Sequence, residues 1–160
     1  MQPARFNYDL SNCPIERAMA FLGEKWTLLV LREAIYGVRR FDDFARALGC
    51  GRGVLSDRLK TLCDAGVLER REYAEPGQRR RAEYRMTAMG RDLYPAMLAI
   101  SQWSERWMPP PDGPVAFVKE RTTGRAVRAI MTSDPDVQAL GMADLDITPG
   151  PGAIPLTDAT

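Results

Sequence analysis

The chain has 160 residues, 22 Lys plus Arg against 21 Asp plus Glu, a formal net charge of +1 and no histidine. With 45% apolar and 27% charged residues it has a globular composition, enough for one domain with an appendage and unlike a wholly disordered chain. The missing histidine excludes a Ser-His-Asp triad, a Cys-His dyad and an HExxH zinc site, so no enzyme of those classes is expected.

The start of the chain, from Met1 to Asp9, has no apolar run of the signal-peptide kind. Leu28–Leu31 is far shorter than the roughly 20 apolar residues of a membrane span. Three cysteines, Cys13, Cys50 and Cys63, have no CxxC spacing. That argues against a zinc site or a secreted disulfide framework, and points to the reducing cytoplasm. No metal or cofactor is expected.

The near-neutral total is an average over two unlike parts. Up to Met108 there are 18 basic and 14 acidic residues, net +4; from Pro109 there are 4 and 7, net −3. Pro109-Pro110-Pro111-Asp112-Gly113-Pro114 forms a stiff linker, predicting a domain over 1–108 and a small C-terminal lobe or tail over 109–160.

In chain order, Pro14 suits the first turn of a helix carrying Ile15, Ala18, Met19 and Leu22. Trp26–Ile35 is apolar on most sides, which predicts a central buried helix ending at Gly37. Phe41, Phe44, Ala45 and Leu48 share one face of a third helix. Gly49-Cys50-Gly51 is a tight turn into a fourth helix, about Arg52 to Ala65, with Leu55, Leu59 and Leu62 as its stripe and Gly66 beyond its end. The period then becomes two. Val67–Tyr73 and Arg81–Met86 read as strands joined at Glu75-Pro76-Gly77-Gln78, a hairpin with a basic tip. Thr87 is placed to cap a long last helix, about Ala88 to Trp107, with Met89, Leu93, Met97, Ile100 and Trp107 in line and Trp103 beside them.

Helix, tight turn, helix and basic hairpin is the order of a winged helix-turn-helix: mainly α, with a β-hairpin wing and here a small β-containing C-terminal extension. The second helix of such a pair buries one stripe and offers the other to the DNA major groove. At about 100° per residue, Gly53, Ser56, Asp57, Lys60 and Thr61 lie opposite the leucines. Arg52 stands at the helix start, where base edges are usually met. Asp57 either accepts from a cytosine amino group or orients a neighbouring arginine. Arg79, Arg80 and Arg81 at the wing suit phosphates or the minor groove. Arg52, Gly53, Ser56, Asp57, Lys60 and the three wing arginines are the candidate DNA contacts. A protein-interaction module built on the same fold is the rival, but such modules usually lack a basic wing.

Cys13–Glu16 with Gly23–Glu33, Arg40–Phe44, Leu55–Lys60 with Leu62, Ala65–Arg70 and Glu83–Gly90, in that order, resemble the HxlR family of bacterial transcription factors. Cys13-Pro14-Ile15-Glu16 followed by Gly23–Glu33 is similar to the family's start. Arg40-Phe41-Asp42-Asp43-Phe44 resembles its "RF-x-x-L" step, with Phe44 for leucine. Leu55–Lys60, Leu62 and Ala65–Arg70 resemble its recognition helix and first wing strand. Glu83–Gly90 resembles the segment leading into its last helix. The match covers about residues 13–107. It implies a homodimeric, MarR-like regulator binding an inverted repeat of double-stranded DNA in the bacterial nucleoid. Leu93, Met97, Ile100, Trp103 and Trp107 are then the expected dimerisation residues, with Phe6, Tyr8 and Leu10 crossing to the partner.

In several members a cysteine at the position of Cys13 senses oxidants or electrophiles. The resemblance therefore makes Cys13 a candidate redox sensor, and a small-molecule effector is the other candidate signal. The tail reads as strand at Val115–Val118, turn at Thr122-Thr123-Gly124, strand from Ala126 to Met131 and a further segment at Asp144–Thr148. It resembles a C-terminal extension of some members, without the cysteines found there.

Overall fold

A computed structural model describes residue 9 and residues 11–74 and 81–154. It forms two compact units, 1–87 and 88–160. The composition changes at Pro109, but the structural division falls at Thr87 and Ala88, so the last helix groups with the C-terminal strands.

In the first unit, α1 is Pro14–Leu22. Pro14 sits in its first turn, where the missing N–H removes no helical bond. Cys13 is the extended residue ahead of it, and its carbonyl accepts from the Arg17 amide at 3.0 Å. α2, Lys25–Ile35, is the predicted central helix, burying Thr27, Val30, Leu31, Glu33, Ala34 and Ile35. Removing each large aliphatic side chain here from water stabilises by about 1.5–3 kcal/mol. Glu33 enters this core with a partner: Arg32 Nε donates to its carboxylate at 2.8 Å.

α3 is Phe41–Leu48 and α4 is Arg52–Asp64. Leu55, Leu59 and Leu62 are fully buried, and α4 packs chiefly on α2. The chain leaves α4 through Gly66 at φ +76°. There the Gly66 amide donates to Cys63 and the Val67 amide to Leu62, at 3.0 and 2.9 Å. This paired closure needs a left-handed residue, and glycine takes that conformation without a side-chain clash.

Val67 is buried and turns the chain into β1, Leu68–Tyr73, which pairs antiparallel with β2, Arg81–Met86. The register sets Leu68 opposite Met86, Arg70 opposite Tyr84 and Tyr73 opposite Arg81. Tyr84 meets Phe44 of α3 edge to face at 6.4 Å, which seats the hairpin on the helices. The segment before α3 extends this sheet. The Tyr84 amide donates to the Arg39 carbonyl at 2.8 Å, and Arg40 bridges to Glu83. The Thr87 hydroxyl, expected as a helix cap, donates to the Gly66 carbonyl at 2.6 Å, tying the end of β2 to the turn after α4.

The second unit corrects one expectation. The long last helix is two helices, α5 at Ala88–Asp92 and α6 at Tyr94–Trp107, with Leu93 between them. Pro95 is the cause. It has no N–H to give the Arg91 carbonyl and its ring crowds that carbonyl, so the helical bonding is interrupted and Pro95 sits in the first turn of α6. Tyr94 and Leu98 are the buried residues of α6.

β3, Ala116–Glu120, pairs antiparallel with β4, Leu145–Pro149. The expected strand at Ala126–Met131 is reduced to one bridge, Lys119 with Ala126. The side chain of Gln102 on α6 holds this segment: Nε2 donates to the Val127 carbonyl at 2.9 Å and Oε1 accepts from the Ala129 amide at 3.0 Å. This short segment lies on one edge of β3, where the Val127 amide donates to the Val118 carbonyl at 3.0 Å, and β4 takes the other edge. Among the described residues, no helix is long and apolar enough to cross a membrane.

Candidate nucleic-acid interface

The leucine stripe of α4 decides what its other face can do. Because Leu55, Leu59 and Leu62 are locked into the core, Gly53, Ser56, Asp57 and Lys60 are all exposed on the opposite side, as expected. They form one polar surface on a rigid helix. Thr61, at its margin, turns its hydroxyl back to the Asp57 carbonyl at 2.9 Å. Lys60 bonds the Asp64 carboxylate one turn on. That bond, with the carboxylate's charge, holds the ammonium above its ordinary pKa.

Arg52 is the first residue of α4. Its Nη2 donates to an Asp42 carboxylate oxygen at 3.0 Å, and its guanidinium lies 4.7 Å from the centre of the Phe41 ring. Both partners come from the first turn of α3. Nothing in the sequence pattern points to this pairing across ten residues.

Arg81 is exposed at the start of β2. Arg79, Arg80 and the turn Glu75–Gln78 lie outside the described residues. On the blade of the hairpin, Arg70 meets Glu72, Arg71 meets Glu69 and Arg85 meets Glu83, at 3.6, 2.6 and 2.6 Å. These pairs leave the blade close to electrical balance, so the sequence's concentration of positive charge falls at the tip. Arg40, the arginine of the "RF-x-x-L" step, lies over the Tyr73 ring at 5.0 Å.

Cys13, Cys50 and Cys63 are free thiols, each half-buried. Burial, then the neighbouring Asp64 carboxylate, push the Cys63 thiol up; Arg70 acts weakly against them. Of the expected dimerisation residues, Ile100, Trp103 and Trp107 are 56%, 58% and 64% exposed, while Leu93 and Met97 are half-buried. Phe6, Tyr8 and Leu10 lie outside the described residues. No cluster of metal-ligating side chains occurs among the described residues.

A helix pair joined by a tight turn, its second helix presenting a polar face, followed by a hairpin seated on the pair, defines a winged-helix transcriptional regulator. Residues 21–112 match the HxlR-like helix-turn-helix family model, and the chain belongs to that family. An uncharacterised HTH-type transcriptional regulator of Mycobacterium tuberculosis is 38% identical over 138 residues, 86% of each chain. The crystal structure of PA1607, a candidate transcription factor, is 33% identical with a TM-score of 0.68, matching 86% of this chain and 95% of that one. The reduced form of the redox regulator HypR is 29% identical with a TM-score of 0.53, over 58% of this chain and 91% of that one.

Proposed function

We propose that this regulator acts as a homodimer on an inverted-repeat operator and that thiol oxidation at Cys13 sets its affinity. The observation that carries the reading is the two-sided character of α4: fully buried leucines on one side, exposed Gly53, Ser56, Asp57 and Lys60 on the other. A helix held this firmly can present Arg52, Ser56, Asp57 and Lys60 to base edges in a major groove. Arg79, Arg80 and Arg81 at the wing then neutralise phosphates or enter the minor groove.

A single winged helix touches few base pairs, so genomic specificity calls for two half-sites and two copies. The exposed Ile100, Trp103 and Trp107, with Leu93 and Met97 beside them, supply an apolar face for pairing on α6 and the residue before it. Such a protein works on the nucleoid in the cytoplasm and needs no cofactor.

Cys13 is a free, half-buried thiol immediately ahead of α1. Likeness to the redox regulator HypR supports the thiol route over a small-molecule effector. The test measures affinity for DNA from the neighbouring promoter with reduced protein, diamide-treated protein and Cys13→Ser. Oxidation is expected to lower wild-type affinity and leave Cys13→Ser unchanged. Equal loss in both proteins overturns the Cys13 role and favours another thiol; no oxidation effect in either favours a small effector.

A further inference from the structure

We infer that Asp42 is a specificity-determining positioning residue: with Phe41, it holds the Arg52 guanidinium in one orientation for reading a base. This rests on the proposed base contacts of α4, and the test below separates its failure from theirs.

Arg52 is the first residue of α4, followed by the exposed Gly53, which gives it no side-chain neighbour there. An arginine in that place would ordinarily sample many rotamers, and ordering it on a base would cost conformational entropy. Here the order already exists. Asp42 takes one Nη2 hydrogen at 3.0 Å, fixing the direction of the guanidinium. The guanidinium carbon also lies over the Phe41 ring, 4.7 Å from its centre, a cation–π contact that restricts where the group sits. Of the five N–H donors, one is used by Asp42. Four remain, enough for a two-pronged contact to the O6 and N7 acceptors of a guanine.

Stability does not explain the arrangement. The side chains of Arg52 and Asp42 are 69% and 77% exposed. An ion pair that exposed contributes little to folding. Its effect falls on Arg52 itself: the carboxylate costs some attraction to phosphates but removes the freedom to satisfy any base equally. The pair also joins the two helices of the helix-turn-helix across the Gly49-Cys50-Gly51 turn. The angle at which Arg52 leaves α4 is therefore set by α3. The base class read at this position is guanine, since that edge offers two acceptors to a planar fork.

The experiment selects bound duplexes from a randomised library using wild type, Arg52→Ala, Asp42→Asn and Asp42→Glu. Affinities for the selected duplex and its single-base variants follow. Wild type should prefer a guanine at one position per half-site, and Arg52→Ala should lose that preference. Asp42→Asn should lose about tenfold in discrimination at the same position only, within what one bidentate contact is worth. Asp42→Glu should restore part of it. Thermal stability should stay unchanged throughout. If Arg52→Ala loses the guanine preference while Asp42→Asn keeps it, the positioning role is overturned. So it is if Asp42→Asn only tightens binding to all sequences, which would make the carboxylate a repulsive charge. Wild type with no base preference anywhere, or Arg52→Ala with its preference intact, would instead sink the underlying reading of α4.

Discussion

At the scale of single residues, the environment of each thiol differs more than the sequence suggests. Cys63 is half-buried beside Asp64, and both the burial and the carboxylate disfavour its thiolate. Because the thiolate is the reactive form, Cys63 should alkylate slowly near neutral pH and faster as pH rises. Asp64→Asn removes one of the two opposing influences, so the thiol moves down toward its ordinary value. Iodoacetamide labelling of Cys63 at pH 8, followed by mass spectrometry, should then speed up by roughly twofold. A slower rate would mean that the carboxylate is not acting on the thiol. The roles of the leucines in α4 were legible in the sequence, because their spacing alone decides which side is buried. The pairing of Arg52 with Asp42 was not. It depends on how a three-residue turn aims two helices, and helical periodicity carries no information about that.

At the scale of elements, the boundaries follow from local chemistry. The hairpin was legible because Ala82, Tyr84 and Met86 alternate with Arg81, Glu83 and Arg85, a pattern that a sheet with one packed face demands. The break between α5 and α6 had its signal in Pro95, but the apolar stripe that runs through it reads as continuous. The strand partner of β3 was hidden for another reason. Two later segments have strand character and both bond β3, on opposite edges: Leu145–Pro149 along the full strand, and the segment at Ala126 only briefly, where Gln102 takes the Val127 carbonyl and the Ala129 amide. The closure of α4 makes a direct prediction. Gly66 stands at φ +76°, so Gly66→Ala should cost about 1 kcal/mol of stability, and Gly66→Asn less. Urea denaturation checks this through a lower midpoint at unchanged slope. An alanine variant as stable as wild type would contradict the backbone requirement.

At the scale of the whole molecule, charge is unevenly distributed along the chain. The part up to Met108 carries net +4 and the remainder −3. Within the basic part, glutamates on the hairpin blade meet Arg70, Arg71 and Arg85. The proposed function accordingly assigns electrostatic attraction to DNA to Arg79, Arg80 and Arg81 at the wing, and sequence preference to α4. The two contributions are separable by their response to salt, since only phosphate neutralisation releases counterions.

The measurement that tests this division most directly is affinity for a selected operator and for random duplex across a range of salt, with wild type, Ser56→Ala and a variant with all three wing arginines replaced by alanine. The wing variant should bind both DNAs more weakly, with a salt slope shallower by about 0.9 for every phosphate it no longer neutralises. Ser56→Ala should keep the wild-type slope and bind the operator alone more weakly. A wing variant with the wild-type slope, or a Ser56→Ala protein weakened equally on both DNAs, would contradict the assignment of phosphate neutralisation to the wing and base readout to α4.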